Sequence, residues 1–309
     1  MIFPKKLEKG DTIGIIAPSS PYKPKSKDSL YEELDEVKKT IESFGYEVKL
    51  GETCYLNYKG YLAGDDEKRV KDIEFMFNDR NINGILCLRG GYGTPRILDK
   101  INYNIIRNNP KVFIGYSDIT ALHIAFNQKC NLVTYHGIMA STSPNWDEFT
   151  YKSFIDMINM EDKLELKNPD NEKIYTITNG QARGKIVGGN LSLIASTIGS
   201  EYEIDVKNKI LFIEEIGENI YKLDRMLTQL ELSGKFEQCS GIIFGDFEKC
   251  EKGNEDDFNI YDLLIDKVKN YKKPCIYNLQ SGHCKSMISM PLGVDCFLDA
   301  SNKKIILTK

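Results

Sequence analysis

The chain is poor in the residues that build metal sites. It has only three histidines, His123, His136 and His283, and its eight cysteines (54, 87, 130, 239, 250, 275, 284 and 296) contain no C-x-x-C pair. A structural zinc site needs closely spaced thiolate and imidazole ligands, so none is expected. Several cysteines lie in apolar runs such as Ile85-Leu86-Cys87-Leu88, which reads as buried thiols in a reducing compartment. Neither sign of charge is gathered into a block: Lys plus Arg is 41, Asp plus Glu is 45, and the net charge is -4. Nucleic acid is therefore not an expected partner. No apolar run approaches the length of a membrane span, and residues 1–10 lack the apolar core and small-residue cleavage site of a secretory signal. The expectation is a cytoplasmic protein without membrane association. Internal repeats and low-complexity tracts are also missing.

What is present is an ordinary globular composition, 41% hydrophobic and 28% charged, over 309 residues. That length exceeds one compact core and predicts two domains. Thr12 to Ile16 reads as a buried strand ending in a Pro-Ser turn. Leu34, Val37, Ile41 and Phe44 then recur at helical spacing, with Gly45 as the stop. Further strands are expected at 46–50, 82–88, 112–114 and 132–135, with a second helix around Val70 to Phe77. Alternation of strand and helix is the signature of a parallel sheet covered on both faces. From Glu161 to Asn179 the sequence turns polar. The expected division is therefore an α/β domain over 1–160, a linker over 161–180 and a β-rich domain over 181–309, with strands at 209–213 and 241–245 and a helix from Ile220 to Gly234.

Two stretches of the first part carry candidate chemistry. Arg89-Gly90-Gly91-Tyr92-Gly93 follows the third strand, and glycines there let the backbone approach a ligand and turn its N–H groups outward. It is neither a P-loop nor a G-x-G-x-x-G fingerprint, and a plain tight turn fits it equally well. In Lys111-Val112-Phe113-Ile114-Gly115-Tyr116-Ser117-Asp118 an apolar strand stops at one serine and becomes a helix. A serine on such a turn projects its hydroxyl above the sheet edge, where a nucleophile is useful; it can equally cap the helix.

A nucleophilic serine needs a base. His123 lies six residues further along the same helix, about 9 Å along the axis and about 240° around it, out of reach. His136 follows a strand of the same sheet, and His283 occupies a Ser-Gly-His-Cys turn; both stay open on the residues alone. A carboxylate at a strand end would orient the base, and Glu214 is the first residue after the 209–213 strand; Glu215 and Glu218 close by read equally as charges exposed at a helix start. An oxyanion hole needs N–H donors near the serine; Asp118 offers its own, and Gly91 is the candidate for the second. Arg89 has a fork suited to a substrate carboxylate.

Gly10-Asp11-Thr12-Ile13-Gly14-Ile15-Ile16-Ala17-Pro18-Ser19, Arg89-Gly90-Gly91-Tyr92-Gly93, Gly115-Tyr116-Ser117-Asp118, Gly188-Gly189-Asn190-Leu191, Phe212-Ile213-Glu214-Glu215-Ile216-Gly217-Glu218 and Gly282-His283 together resemble the LD-carboxypeptidase family of serine peptidases, in order along almost the whole chain. The resemblance implies a Ser117, Glu214 and His283 triad, which decides against His136, and an oxyanion hole from the N–H groups of Gly91 and Asp118. It also implies a flavodoxin-like N-terminal domain, a smaller β-rich C-terminal domain, an active site at their junction and a homodimer. The implied activity is removal of the terminal D-alanine from murein tetrapeptides in cell-wall recycling, without a cofactor. Two other readings accompany it: a microcin-immunity-type hydrolase of aminoacyl or peptidyl nucleotide toxins, and a nucleotide-binding α/β module without catalysis.

Overall fold

The computed structural model describes every residue except Lys27, Glu251, Asn254 and Asp257. The chain divides into two compact units, Met1–Glu148 and Phe149–Lys309. The first alternates strand and helix: β1 (Thr12–Ile16), α1 (Leu30–Ser43), β2 (Glu47–Leu50), α2 (Asp66–Asn78), β3 (Gly84–Cys87), α3 (Tyr103–Asn108), β4 (Val112–Gly115), α4 (Thr120–Cys130) and β5 (Thr134–His136). The strands are all parallel and run in the spatial order 2-1-3-4-5. This is the flavodoxin-like order, and ligands of such sheets bind beyond the strand ends where the order reverses, between β1 and β3.

Burial explains the pattern. β3 and β4 are buried at every position, as strands covered on both faces must be, and α1 buries Leu34, Val37 and Ile41. Phe77 of α2, Phe113 of β4 and Phe126 of α4 form a mutual aromatic cluster with ring centroids 5.0–6.0 Å apart. Each such pair contributes about 0.5–1.5 kcal/mol beyond area burial, and together they fix β4 against two helices. On α4, Thr120 to Asn127 and Cys130 are all buried, so the helix that follows Ser117 belongs to the core. Arg69 of α2 is fully buried and donates from Nη1 to the carbonyls of Pro18 (2.7 Å) and Gly93 (2.8 Å). It thereby ties together the loops that leave β1 and β3.

The second unit opens with α5 (Glu148–Ile158), followed by β6 (Lys163–Leu166), β7 (Tyr175–Thr178), β8 (Gln181–Asn190), α6 (Leu191–Thr197), β9 (Ile210–Ile216), α7 (Ile220–Leu232), α8 (Lys235–Gln238), β10 (Gly241–Glu248), α9 (Ile260–Val268), β11 (Cys275–Tyr277), β12 (Met290–Leu292), β13 (Asp295–Asp299) and β14 (Lys304–Thr308). Its mixed sheet has the order β6-β14-β13-β8-β9-β10-β11-β7. β8 joins two kinds of pairing: residues 181–185 pair antiparallel with β13, and residues 186–190 pair parallel with β9. Gly188 permits the close approach to β9, since a Cβ there would stand 1.8 Å from the Phe212 carbonyl oxygen.

The polar stretch 161–180 is not a linker. It supplies β6 and β7, which form the two edges of this sheet. Edge strands are half solvated, β6 carrying Lys163 and Glu165 and β7 two threonines, and so resemble loops in composition. With them the second unit spans 149–309 and is not the smaller of the two. All eight cysteines are free thiols; Cys284 is half-buried and the other seven are buried. Among the described residues no helix is long and apolar enough to cross a membrane.

Candidate active site

In the first unit the chain leaves β4 and turns at Ser117 with φ of 63°, the left-handed region that L residues other than glycine avoid at a cost of order 1–3 kcal/mol. The serine does not serve as a cap. A short 3-10 turn covers Ser117–Ile119 ahead of α4, the residues at the cap positions are Tyr116 and Ile119, and neither makes a side-chain cap hydrogen bond. The strained turn thus carries a half-buried hydroxyl without helical duty, the arrangement of a nucleophile elbow.

The turn is held by its neighbour. Asp118 is 1% exposed, and its Oδ2 accepts from the Ser19 hydroxyl at 2.6 Å and from the Thr94 N–H at 2.9 Å. The Thr94 hydroxyl donates to the Asp118 carbonyl at 2.5 Å. Loops after β1, β3 and β4 therefore meet on one buried carboxylate. Gly90 lies against the serine: a Cβ there would stand 3.0 Å from Ser117 Cβ and 3.1 Å from its Oγ. Gly91 has φ of 116°, and a Cβ on it would fall 2.4 Å from Ser20 Oγ. Ser20 in turn donates to the Tyr61 carbonyl and accepts from the Tyr92 N–H. The glycine-rich loop expected beside the serine is there, tight against it at Gly90 and closed to a side chain at Gly91.

Arg89 is half-buried and donates from Nη1 to the Pro21 carbonyl at 3.1 Å; burial lowers its pKa. His123 is fully buried, its Nε2 donates to the Gly115 carbonyl at 2.8 Å, and its ring meets Phe113 edge-on. Desolvation pulls its pKa down to about 4, so it stays neutral and anchors the end of β4. His136 is fully buried on β5, beside the Tyr116 ring.

In the second unit the structure brings Glu214 and His283 together. Glu214, buried at 0% exposure within β9, accepts on Oε2 from His283 Nδ1 at 2.8 Å. Burial pulls the His283 pKa down, but the hydrogen bond and charge of Glu214 outweigh it, with Glu215 and Asp246 adding, and the net shift is upward. The tautomer set by this bond leaves Nε2 as the basic nitrogen. Gly282, with φ of 138°, lets the turn press on Glu214, since a Cβ there would lie 2.8 Å from Oε2.

Glu215 is not an exposed charge at a helix start. It is 3% exposed and accepts from Asn190 Nδ2 (2.8 Å), from the Ser192 N–H (2.8 Å) and hydroxyl (2.6 Å), and from its neighbour's N–H at Ile216 (2.9 Å). Glu218 is half-buried and pairs with Lys222 at 3.1 Å. Asn168, from the stretch expected to be a linker, accepts from the Gln280 N–H and donates to the Asn278 carbonyl, and so steadies the turn before His283. Sequence reasoning missed Arg69, Ser19, Thr94 and Asn168 because their partners are far along the chain. No group of three or more His, Cys, Asp or Glu among the described residues is arranged to hold a metal ion.

Two family models match in order. That of the LD-carboxypeptidase N-terminal domain covers residues 13–137 and that of the LD-carboxypeptidase C-terminal domain covers 183–298. A probable murein peptide carboxypeptidase of Bacillus subtilis is 39% identical over 311 residues, covering 98% of this chain and 93% of that protein. Among solved structures, muramoyltetrapeptide carboxypeptidase from Oxalobacter formigenes superposes with TM-score 0.80 at 26% identity, over 96% of this chain and 97% of that one. The microcin C7 self-immunity protein MccF in complex with aspartyl sulfamoyl adenosine superposes with TM-score 0.90 at 25% identity, over 100% and 99%.

Proposed function

Because this chain belongs to the LD-carboxypeptidase family, we propose that it is a serine carboxypeptidase that cleaves the L,D bond to the terminal D-alanine of murein tetrapeptides. The observation that carries the reading is the buried Glu214–His283 hydrogen bond, which poises an imidazole as a base. The strained turn at Ser117 is consistent with the nucleophile. His283 Nε2 takes the Ser117 proton as Oγ attacks the amide carbonyl carbon. The N–H groups of Gly91 and Asp118 receive the oxyanion, and Glu214 stabilises the imidazolium. The C–N bond then breaks as His283 returns the proton to the leaving D-alanine amine. Water, deprotonated by the same histidine, releases the acyl group. Arg89 receives a carboxylate of the substrate. The enzyme acts in the cytoplasm, as a homodimer, in cell-wall recycling.

The test is D-alanine release from a purified sugar-free murein tetrapeptide by wild type, Ser117→Ala, Glu214→Ala, His283→Ala and His136→Ala. Release by wild type and His136→Ala alone is the expected result. No release by the wild type overturns the substrate assignment. The likeness to an immunity protein solved with an aminoacyl sulfamoyl nucleoside supports a second reading, a hydrolase of nucleotide-linked toxins. Aspartyl sulfamoyl adenosine assayed beside the muropeptide separates the two.

A further inference from the structure

The turn that carries His283 rests on more than Glu214. β10 loses register with β9 between Phe244 and Phe247, a bulge that takes Gly245 and Asp246 out of the ladder and re-aims their neighbours. The bulge grips the turn: the Leu279 N–H donates to the Phe244 carbonyl at 3.2 Å, and the Asp246 N–H donates to the Ser281 carbonyl at 3.1 Å. Only glycine fits at 245, since a Cβ there would stand 2.5 Å from the Ser281 oxygen. Bulge, turn and the Glu214 segment of β9 form one packed cluster inside the second unit.

The Asp246 carboxyl sits in this cluster with Oδ2 buried and without a hydrogen-bond partner. Buried polar atoms are rarely left so. The ionisable groups that interact electrostatically with it are Glu214 of β9, Glu248 of its own strand, Tyr277 of β11, His283 and Cys284 of the turn, and Cys250. Of these, His283 is the one able to carry positive charge. Burial, with Glu248 and Glu214 adding, pushes Asp246 up to about 6, and its charge in turn helps hold His283 upward.

We propose that Asp246 is a second positioning carboxylate for His283: its bulge fixes the turn through the backbone, and its charge supports the imidazolium formed when His283 takes a proton. The catalytic consequence rests on the assignment of His283 as base; the electrostatic coupling does not. Attraction between the two charges makes their titrations interfere, because proton uptake by Asp246 withdraws support from His283. His283 therefore titrates over a broader pH range than a single independent site.

The experiment follows the imidazole NMR signals of the full-length Ser117→Ala protein against pH, with His283 identified by the signal lost on adding His283→Gln. Adding Asp246→Asn moves the His283 midpoint to lower pH and narrows its curve, while Asp246→Glu restores the higher midpoint. Unchanged melting temperature and unchanged His123 and His136 signals show that the fold is kept. A His283 midpoint and slope unaltered by Asp246→Asn overturn the proposal. If that variant does not fold, a single-site His283 curve in the unsubstituted Asp246 background overturns it as well. In the active background the acid limb of kcat/KM for Asp246→Asn also moves to lower pH, with KM unchanged. Failure of D-alanine release by the wild type would strike the functional reading alone, since the titration is read without turnover.

Discussion

Ser117 and His283 lie in different units and are set in place by different physics. Around Ser117 the determinants are conformational: φ of 63°, a loop whose Gly90 packs tightly on the serine and whose Gly91 leaves no space for a Cβ, and a network in which Asp118 and Arg69 bond mainly to backbone and hydroxyl groups. Around His283 they are electrostatic: a fully buried carboxylate at 2.8 Å, with the charges of Glu215 and Asp246 adding to it. A hydroxyl needs only to be aimed, because its charge develops during the reaction. On the proposed roles, a base must hold a stabilised cation, which suits an imidazole set among carboxylates. The first unit should therefore be most sensitive to steric change and the second to charge and pH.

The sharpest way to break this comparison is Ser117→Ala, which should lower kcat on the order of 10⁴- to 10⁶-fold while leaving thermal stability equal or raised. A large loss of melting temperature would show that the serine supports the fold. Glu214→Gln keeps the shape and removes the charge; kcat should fall on the order of 10³- to 10⁴-fold, and retention of full activity would contradict an electrostatic second unit. Gly91→Ala tests the steric half. Overlap with Ser20 should displace the loop and cost on the order of 10²- to 10³-fold in kcat, comparable to losing one oxyanion donor, with KM changed less. The pH profile comes next. His283 is active as a base only when neutral, and its pKa is raised, so kcat/KM should fall as pH drops through a value above the ordinary imidazole 6.5. A midpoint below 6.5 would deny the influence of Glu214. The smallest effect is expected for Arg89→Lys, which should weaken tetrapeptide binding several-fold through loss of the fork geometry; unchanged affinity removes Arg89 from the substrate site.

Much of this organisation was legible in the sequence because it is local. The alternation of strand and helix up to His136, the serine at the end of an apolar strand and the glycine-rich loop each announce themselves within about ten residues. The edges of the second sheet did not. Lys163 to Leu166 and Tyr175 to Thr178 are only half buried, so their composition is polar although their backbones are paired. Nor could the clasps be read: Ser19 to Asp118 spans 99 positions, Arg69 to Pro18 spans 51 and Asn168 to Gln280 spans 112. Glu215 was legible as a charge, but its burial depends on Asn190 and Ser192 arriving from the neighbouring strand and helix. The bulge at Asp246 looks like an ordinary strand end until its register with β9 is known.

The distribution of thiols makes this chain its own unfolding reporter. Cys54, Cys87 and Cys130 are sealed in the first unit, and Cys239, Cys250, Cys275 and Cys296 in the second. Desolvation raises each of these thiols above its ordinary pKa, and a buried, protonated thiol is a poor nucleophile. Alkylation by iodoacetamide should therefore wait for local opening. Peptide-resolved labelling times would give each unit its own clock, without a single engineered probe.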